Sequence, residues 1–244
     1  MSEAQRVVLV TGGTRGIGRA IADAFAAQGA KVAVCGRKEP GDERPHSFFA
    51  VDVRDAEACE KLVGDVHEKF GRLDVLVNNA GGSPPADTST ASPRFSEKIV
   101  ALNLLAPMWL AQFANAVMQD QEEGGVIVNI ASVAGLRASP TVAAYGAAKA
   151  GLLNLTTTQG LEWAPKVRVL ALSPGLVLTE DSAAHYPEAE ALKATIPAGR
   201  FCQPEDVAQA CIWLASSAAG YATGTNLVLD GGGDWPAFLR PNKS

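Results

Sequence analysis

The 244 residues, 47% hydrophobic and 19% charged, suffice for a large core in one α/β domain or two small ones. Lys and Arg number 21 against 26 Asp and Glu, a formal charge of −5 with no basic run, which argues against a nucleic-acid or anionic-membrane partner and for a small molecule. The four cysteines (Cys35, Cys59, Cys202, Cys211) show no Cys-x-x-Cys spacing, the opening Met1 to Arg6 is unlike a signal peptide, and His46, His67 and His185 have no ligand spacing; a reduced, cytoplasmic chain without a catalytic metal is expected.

Val7 to Val10 is a short, fully apolar run of the kind a central parallel strand shows, and Thr11-Gly-Gly-Thr-Arg-Gly-Ile-Gly18 follows at once. Ile17, Ala20, Ile21, Ala24 and Phe25 then fall at helical spacing up to Gly29. Strand, glycine turn and helix in that order let backbone N–H groups and the positive end of a helix meet a pyrophosphate. Lys31 to Cys35 reads as the second strand. Where an acidic residue would bind a ribose 2′-hydroxyl, the chain has Gly36 followed by Arg37 and Lys38, a pocket suited to an extra phosphate unless these are solvated loop charges. The polar stretch 37–46 has no apolar period and leaves no room for a full crossover helix.

Phe48 to Val53 predicts the third strand, with Asp52 at its end in reach of an adenine edge, and Leu62, Val63, Val66 and Phe70 mark a helix. Asp74 to Val77 predicts the fourth strand, running into a second glycine turn, Asn78-Asn-Ala-Gly-Gly82. Residues 83–96 read as a Ser/Thr/Pro-rich loop placed to border a substrate. A long helix from about Glu97 to Met118 buries Ile99, Leu102, Ala106, Leu110, Phe113 and Val117, with Asn103 on or beside that stripe. Its Asn103, Pro107, Gln112 and Asn115 mark a core helix rather than a membrane span. A buried asparagine needs partners, whether structural or catalytic.

Gly125 to Ile130 predicts a fifth strand that ends beside Ser132. Thirteen residues beyond that serine stands Tyr145-Gly-Ala-Ala-Lys149, a tyrosine and a lysine on one face of a helix. A phenol titrates near ~10, and acid/base work near neutrality needs it roughly 3 units lower, about 4 kcal/mol. An ammonium about 4 Å away supplies about that at an effective dielectric of ~20. The pair alone equally fits any amphipathic helix, so the surroundings decide. The helix runs towards Ala164-Pro165, Val167 to Leu172 is another strand leading into Ser173-Pro-Gly-Leu-Val-Leu-Thr179, and residues 180–199 form an alanine-rich lid. Pro204 starts a helix through Val207, Cys211, Ile212 and Leu214, and Asn226 to Asp230 is the last strand, before a tail with Trp235 and Phe238. Strands alternate with helices without repeat or linker, which predicts one doubly wound parallel sheet, a single three-layer α/β domain of the Rossmann type over residues 1–244.

Thr11-Gly12-x-x-x-Gly16-x-Gly18, Asn78-Asn79-Ala80-Gly81, Asn103, Ser132, Tyr145-x-x-x-Lys149 and Pro174-Gly175, in that order over essentially the whole chain, resemble the single-domain short-chain dehydrogenase/reductase family. The resemblance implies a hydride-transferring oxidoreductase of ketones and secondary alcohols, with the catalytic segment at 132–149. Tyr145 would be the general acid/base, Lys149 would lower its pKa and hold the nicotinamide ribose, Ser132 would bind the substrate oxygen, and Asn103 would hold a relay water. Thr14, Arg15, Ile17 and Gly18 would meet the pyrophosphate side, Asp52 and Val53 the adenine, Asn79, Ala80 and Gly81 the adjoining ribose, and Val177 and Thr179 the carboxamide, with Gly12, Gly16, Pro174 and Gly175 completing the cofactor site. The chain departs from the family pattern at Gly36, in the shortened segment after Arg37, and at Leu170. With Gly36 and Arg37 in place, NADP(H) is favoured over NAD(H), the alternative. A homotetramer or homodimer is implied, for which the apolar tail would fit. The few charges in residues 83–95 and the apolar lid suggest an apolar or alicyclic substrate; His185 and Tyr186 belong to the lid. A nucleotide-sensing regulator on the same fold is the alternative of another class.

Overall fold

The computed structural model describes residues 5–39, 41, 45–180 and 189–233. Seven strands form the sheet: β1 (Val7–Thr11), β2 (Lys31–Gly36), β3 (Ser47–Ala50), β4 (Val75–Asn78), β5 (Gly125–Ile130), β6 (Val167–Pro174) and β7 (Asn226–Leu229). All pair in parallel, in the order β3-β2-β1-β4-β5-β6-β7. The chain winds outward from β1 to β3, then returns to place β4 on the other flank of β1, so the strand order reverses at the β1/β4 boundary. Loops diverge there and leave a crevice at the carboxyl ends of the strands.

Helices cover both faces, which is why β1 is buried at all five positions and reads as an unbroken apolar run. Val8, Val10, Val34, Val77, Val128 and Leu172 pack towards α1 (Gly16–Ala27) and α7 (Pro204–Ala215) through Ile21, Phe25, Cys211 and Leu214. The alternate positions Leu9, Leu76, Ile127 and Val169 meet Leu62 and Val66 of α2 (Ala56–Phe70) and Leu110, Ala114 and Met118 of α4 (Ala106–Asp120). Period-two alternation thus divides one sheet between two cores. A smaller cluster, Ala131, Ala171 and Leu152, lies under α5 (Ala143–Glu162). The short α6 spans Ala189–Lys193.

Buried charge at the strand starts is matched. The Asp74 carboxylate accepts the Val7 N–H at 2.7 Å and is forked by Arg72. Arg168 of β6 donates to the carbonyls of Leu214, Ser216, Ala219 and Ala222 at 3.0–3.2 Å, and Arg6 to that of Ala215 at 2.8 Å. The two guanidinium groups therefore satisfy the carbonyls that α7 and the turn after it cannot satisfy themselves.

The fold expected from the sequence is found, with shifts at element ends. β3 stops at Ala50 rather than Val53 because β2, the neighbour it pairs with, ends at Gly36, the partner of Ala50. β4 starts at Val75 because Asp74 is engaged with Arg72 and Val7. The long helix starts earlier, with α3 (Pro93–Val100): Ser92 accepts the Phe95 N–H as its cap and Pro93 occupies the first turn, a start signal at Ser-Pro that apolar periodicity does not register. Between α3 and α4 the rod widens into a π turn, Ala101–Leu105, in which the Ala106 N–H reaches back to Ala101. By length and composition the span Pro93–Asp120 could cross a membrane, yet Ala106, Leu110, Ala111, Ala114 and Met118 are buried against the sheet. Among the described residues no helix joins β2 to β3, as the polar stretch predicted.

Candidate active site

One cavity of about 1030 Å³ opens at the carboxyl ends of β1 to β6 and takes its lining from the loop after each. It lies at the upper end of the ~300–1,000 Å³ usual for small-molecule sites. Every cofactor residue named from the sequence lines it: Gly12, Thr14, Arg15, Gly16, Ile17, Gly18, Arg37, Asp52, Val53, Asn79, Ala80, Gly81, Tyr145, Lys149, Pro174, Gly175, Val177 and Thr179. Ser132 lines it as well; Asn103 is fully buried behind the wall.

Glycines make the floor by letting backbone approach backbone. A Cβ on Gly18 would stand 2.3 Å from the Gly12 oxygen and 2.4 Å from Asn79 Nδ2. Asn79 Nδ2 donates to the Thr11 oxygen at 2.9 Å, while the Thr11 hydroxyl accepts the Asn79 and Ala80 N–H groups at 3.0 and 2.9 Å. Thr11 and Asn79 thereby stitch the two glycine turns into one surface at the switch point. Behind the first turn α1 begins at Gly16, with Arg15 at its N-cap and no acidic residue in its first turn, so the positive end of the helix faces the cavity uncompensated. An anionic pyrophosphate fits that cradle.

The four catalytic candidates come from three elements. Lys149 is 3% exposed; its Nζ donates to the Ile130 oxygen at 2.7 Å and lies 5.6 Å from the Tyr145 ring centroid. Burial pushes the lysine down to about 7, since water that would solvate an ammonium is excluded. Ser132 caps a 3₁₀ turn, Val133–Gly135, by accepting the Ala134 N–H at 3.1 Å. That turn rests directly on α5: a Cβ on Gly135 would be 2.7 Å from the Lys149 carbonyl carbon, and one on Gly146 would be 2.9 Å from the Ala134 oxygen. Two glycines therefore bring the Ser132 segment down beside Tyr145 and Lys149. The sequence reading missed them, although Gly146 directly after Tyr145, inside a helix, is the kind of residue that marks close approach.

Asn103 sits in the π turn. Its Nδ2 donates to the Gly82 and Ile99 oxygens and its Oδ1 accepts the Gly82 N–H, all at 2.9 Å. The side-chain amide is thus occupied in clamping the second glycine turn. Its main-chain carbonyl has a different environment: the residue four further on, Pro107, has no N–H to offer it. Gly81 lies between Asn103 and Lys149, since a Cβ there would be 2.7 Å from Asn103 Oδ1 and 3.3 Å from Lys149 Nζ.

At the far end of the cavity Gly36, Arg37 and Lys38 form the wall after β2. Among the described residues Arg37 has no ion-pair partner. The Asp52 carboxylate, expected to stand at an adenine edge, has a partner within the chain. Arg54, which also lines the cavity and which sequence reasoning missed, forks the carboxylate. The only local signal was an arginine two residues beyond an aspartate, just past the stretch predicted as the third strand.

Of the segment expected to act as a lid, residues 181–188, with His185 and Tyr186, lie outside the described residues, as do the tail residues Trp235 and Phe238. Among the described residues no cluster of His, Cys, Asp and Glu suits a metal ion.

Comparison with known proteins agrees with the geometry. A family model described as enoyl-(acyl carrier protein) reductase matches residues 12–234. A D-threitol dehydrogenase of Mycolicibacterium smegmatis is 38% identical over 240 residues, 93% of this chain and 92% of that one. An NAD-dependent glycerol dehydrogenase of Listeria innocua is 36% identical over 237 residues, 93% of each. The ligand-free aldohexose dehydrogenase of Thermoplasma acidophilum superposes with a TM-score of 0.89 at 30% identity, over 93% of each chain. The glycine turns at the switch point, the Ser132, Tyr145 and Lys149 cluster and these matches lead to one conclusion: the chain belongs to the short-chain dehydrogenase/reductase family and is an NAD(P)-dependent oxidoreductase of CH–OH and C=O groups.

Proposed function

We propose that the protein interconverts a small, largely apolar or alicyclic ketone and its secondary alcohol with NADP(H) as the preferred cofactor. The observation that carries the cofactor assignment is the end of β2, where Gly36 offers no carboxylate and Arg37 and Lys38 line the cavity. Glycine neither accepts a bond from a ribose 2′-hydroxyl nor repels a phosphate, and a guanidinium offers phosphate two parallel donors. Leu102, Ile130 and Ala131 in the cavity wall and the half-exposed Leu136 after Ser132 support an apolar substrate. The Listeria innocua relative, named as NAD-dependent, favours the second reading, NAD(H).

The chemistry divides among the residues as follows. When bound, the nicotinamide supplies or accepts the hydride. Tyr145 exchanges the proton with the substrate oxygen, and Ser132 donates a hydrogen bond to that oxygen and fixes its place. Lys149 holds the nicotinamide ribose and, when protonated, stabilises the phenolate of Tyr145. Because the Asn103 amide is occupied by Gly82 and Ile99, its main-chain carbonyl is the acceptor we assign to a relay water. The cofactor turns are Gly12 to Gly18 for the pyrophosphate, Asn79 to Gly81 for the ribose, and Pro174 to Thr179 for the carboxamide.

Kinetics with both nucleotides test the assignment. A charge-assisted contact to the 2′-phosphate contributes about 1.5–3 kcal/mol, so a single one gives the wild type a kcat/KM ratio for NADPH over NADH of roughly tenfold to 150-fold, and a second raises it further. The double variant Gly36→Asp with Arg37→Ala should swing towards NADH. A Cβ at Gly36 would lie 3.3 Å from Thr14 Cγ2, so the aspartate needs only a small shift of that side chain. Equal efficiency in the wild type, or no swing in the double variant, defeats the NADP(H) reading.

A further inference from the structure

We propose that Arg54 sets phosphate selectivity without touching the phosphate, by holding Asp52 so that its carboxylate neither captures Arg37 nor repels a 2′-phosphate. This deepens the NADP(H) reading and rests on it.

The geometry is that of an intramolecular clamp. Asp52 Oδ1 accepts the Arg54 main-chain N–H at 3.1 Å and Nε at 2.9 Å; Oδ2 accepts Nε at 3.2 Å and, as a close pair, Nη2. A carboxylate offers about four lone-pair sites, so this set leaves little acceptor capacity for an adenine amino group or a second cation. Planar fork against planar carboxylate is an arrangement that arginine makes and lysine does not.

The location gives the clamp its consequence. Asp52, Arg54 and Arg37 line one cavity, and the strand ends that lead to them are neighbours: Gly36 pairs with Ala50, and its oxygen accepts the Val51 N–H at 2.9 Å. Arg54 first, and Arg37 after it, hold the Asp52 carboxyl below the usual carboxylate range, which places Arg37 within the electrostatic reach of this one carboxylate. In the wild type Arg54 fills the carboxylate, the pair is close to neutral, and Arg37 keeps its charge for the cavity. Without Arg54, Asp52 becomes an uncompensated anion whose nearest competitor for cations is the phosphate itself. Arg37 then turns to Asp52, or Asp52 repels the phosphate; both lower affinity for a 2′-phosphorylated nucleotide selectively. The sequence position of Gly36 says only that no acid stands at the end of β2. The structure adds that a second acid nearby has to be silenced.

The test reads binding to the cofactor-free protein, separate from turnover. Calorimetric titration with 2′,5′-ADP and with 5′-AMP gives an affinity ratio for the wild type, Arg54→Met, Arg54→Lys, Asp52→Asn and the double variant Arg54→Met with Asp52→Asn. The ratio should favour 2′,5′-ADP in the wild type and fall at least tenfold in Arg54→Met. It should stand between the two in Arg54→Lys, stay at or above the wild-type value in Asp52→Asn, and return to within threefold of wild type in the double variant. An unchanged ratio in Arg54→Met overturns the proposal. So does a double variant as poor as the single one, since Arg54 would then contact phosphate directly or act only through folding. A wild-type ratio of one or less is a different failure: it removes the NADP(H) reading, and the role of Arg54 with it. Raising salt should compress the wild-type ratio, because the side chains of Arg54 and Asp52 are 33% and 40% exposed and screening reaches them.

Discussion

Replacing Lys149 by methionine should make the cofactor-free protein more stable while abolishing its activity. The lysine is 3% exposed and titrates at about 7 instead of 10.5, because burial penalises the ammonium. An unfolded chain binds the proton below about 10.5, the folded one only below about 7, so folding releases a proton between those values. The penalty is absent above pH 10.5, grows as pH falls, and is complete below about pH 7. Three and a half units at ~1.36 kcal/mol per unit make it about 5 kcal/mol in full and about 4 at pH 7. Methionine keeps the length without the charge but leaves the Ile130 oxygen without its 2.7 Å donor, a loss of about 1–2 kcal/mol. The net gain at pH 7 is about 2–3 kcal/mol, or about 5–10 °C in Tm for a chain of this size. At pH 9.5 about one unit of penalty remains, roughly what the orphaned carbonyl costs, and the gain vanishes. The thiols of Cys35 and Cys59, which burial pushes up to about 12, titrate alike in both proteins and cancel. Urea unfolding midpoints of the two proteins at pH 7 and 9.5, at equal m, measure the difference. A variant no more stable than wild type at pH 7, or equally stabilised at both pH values, would refute the argument.

Three further outcomes follow from the same geometry. Tyr145→Phe keeps the ring beneath Lys149 Nζ and removes one hydroxyl; kcat should fall roughly 10²-fold or more with nucleotide affinity within threefold, and near wild-type turnover would remove Tyr145 from the proton path. Gly18→Ala forces a Cβ to 2.3 Å from the Gly12 oxygen, so the glycine turn must move; about 1–3 kcal/mol of stability and at least tenfold in nucleotide affinity should go, checked by thermal melting and fluorescence titration. Arg168→Met leaves four carbonyls around the end of α7 without a donor and should cost about 3 kcal/mol, a Tm drop of about 6–12 °C; a drop under 2 °C would mean that water replaces the guanidinium there.

The parts of the fold that follow from period and punctuation were legible in the sequence. β1, both glycine turns and the Tyr145 to Lys149 face each depend on neighbours in the chain, and the structure has them at the expected residues. What escaped depends on neighbours in space. β3 ends with its partner strand, not where its own apolar run ends. Gly135 and Gly146 matter because two backbones from different elements meet there. Asn103 was readable as a buried amide, but its three partners, Gly82 twice and Ile99 once, exist only because the rod widens at Ala101–Leu105. Arg54 follows the same rule: the chain leaves strand geometry after Ala50, and the Arg54 side chain folds back on Asp52, a contact that no local period marks.

The π turn has a consequence for the phase of the long rod. A five-residue reach amounts to one residue inserted into a four-residue ladder, about 100° of rotation at 3.6 residues per turn. The amino-terminal part of the rod, which carries Ile99 and leads to Asn103, is therefore indexed to the second glycine turn, and the carboxyl-terminal part, with Leu110, Ala114 and Met118, is indexed to the sheet. Neither index can be kept by a uniform α-helix. Removing Leu104 would mend the ladder and leave the downstream core contacts in place, yet it would swing Asn103 and everything before it a quarter turn or more around the axis, away from Gly82. The bulge works as a differential between two gears, and a one-residue deletion there locks it.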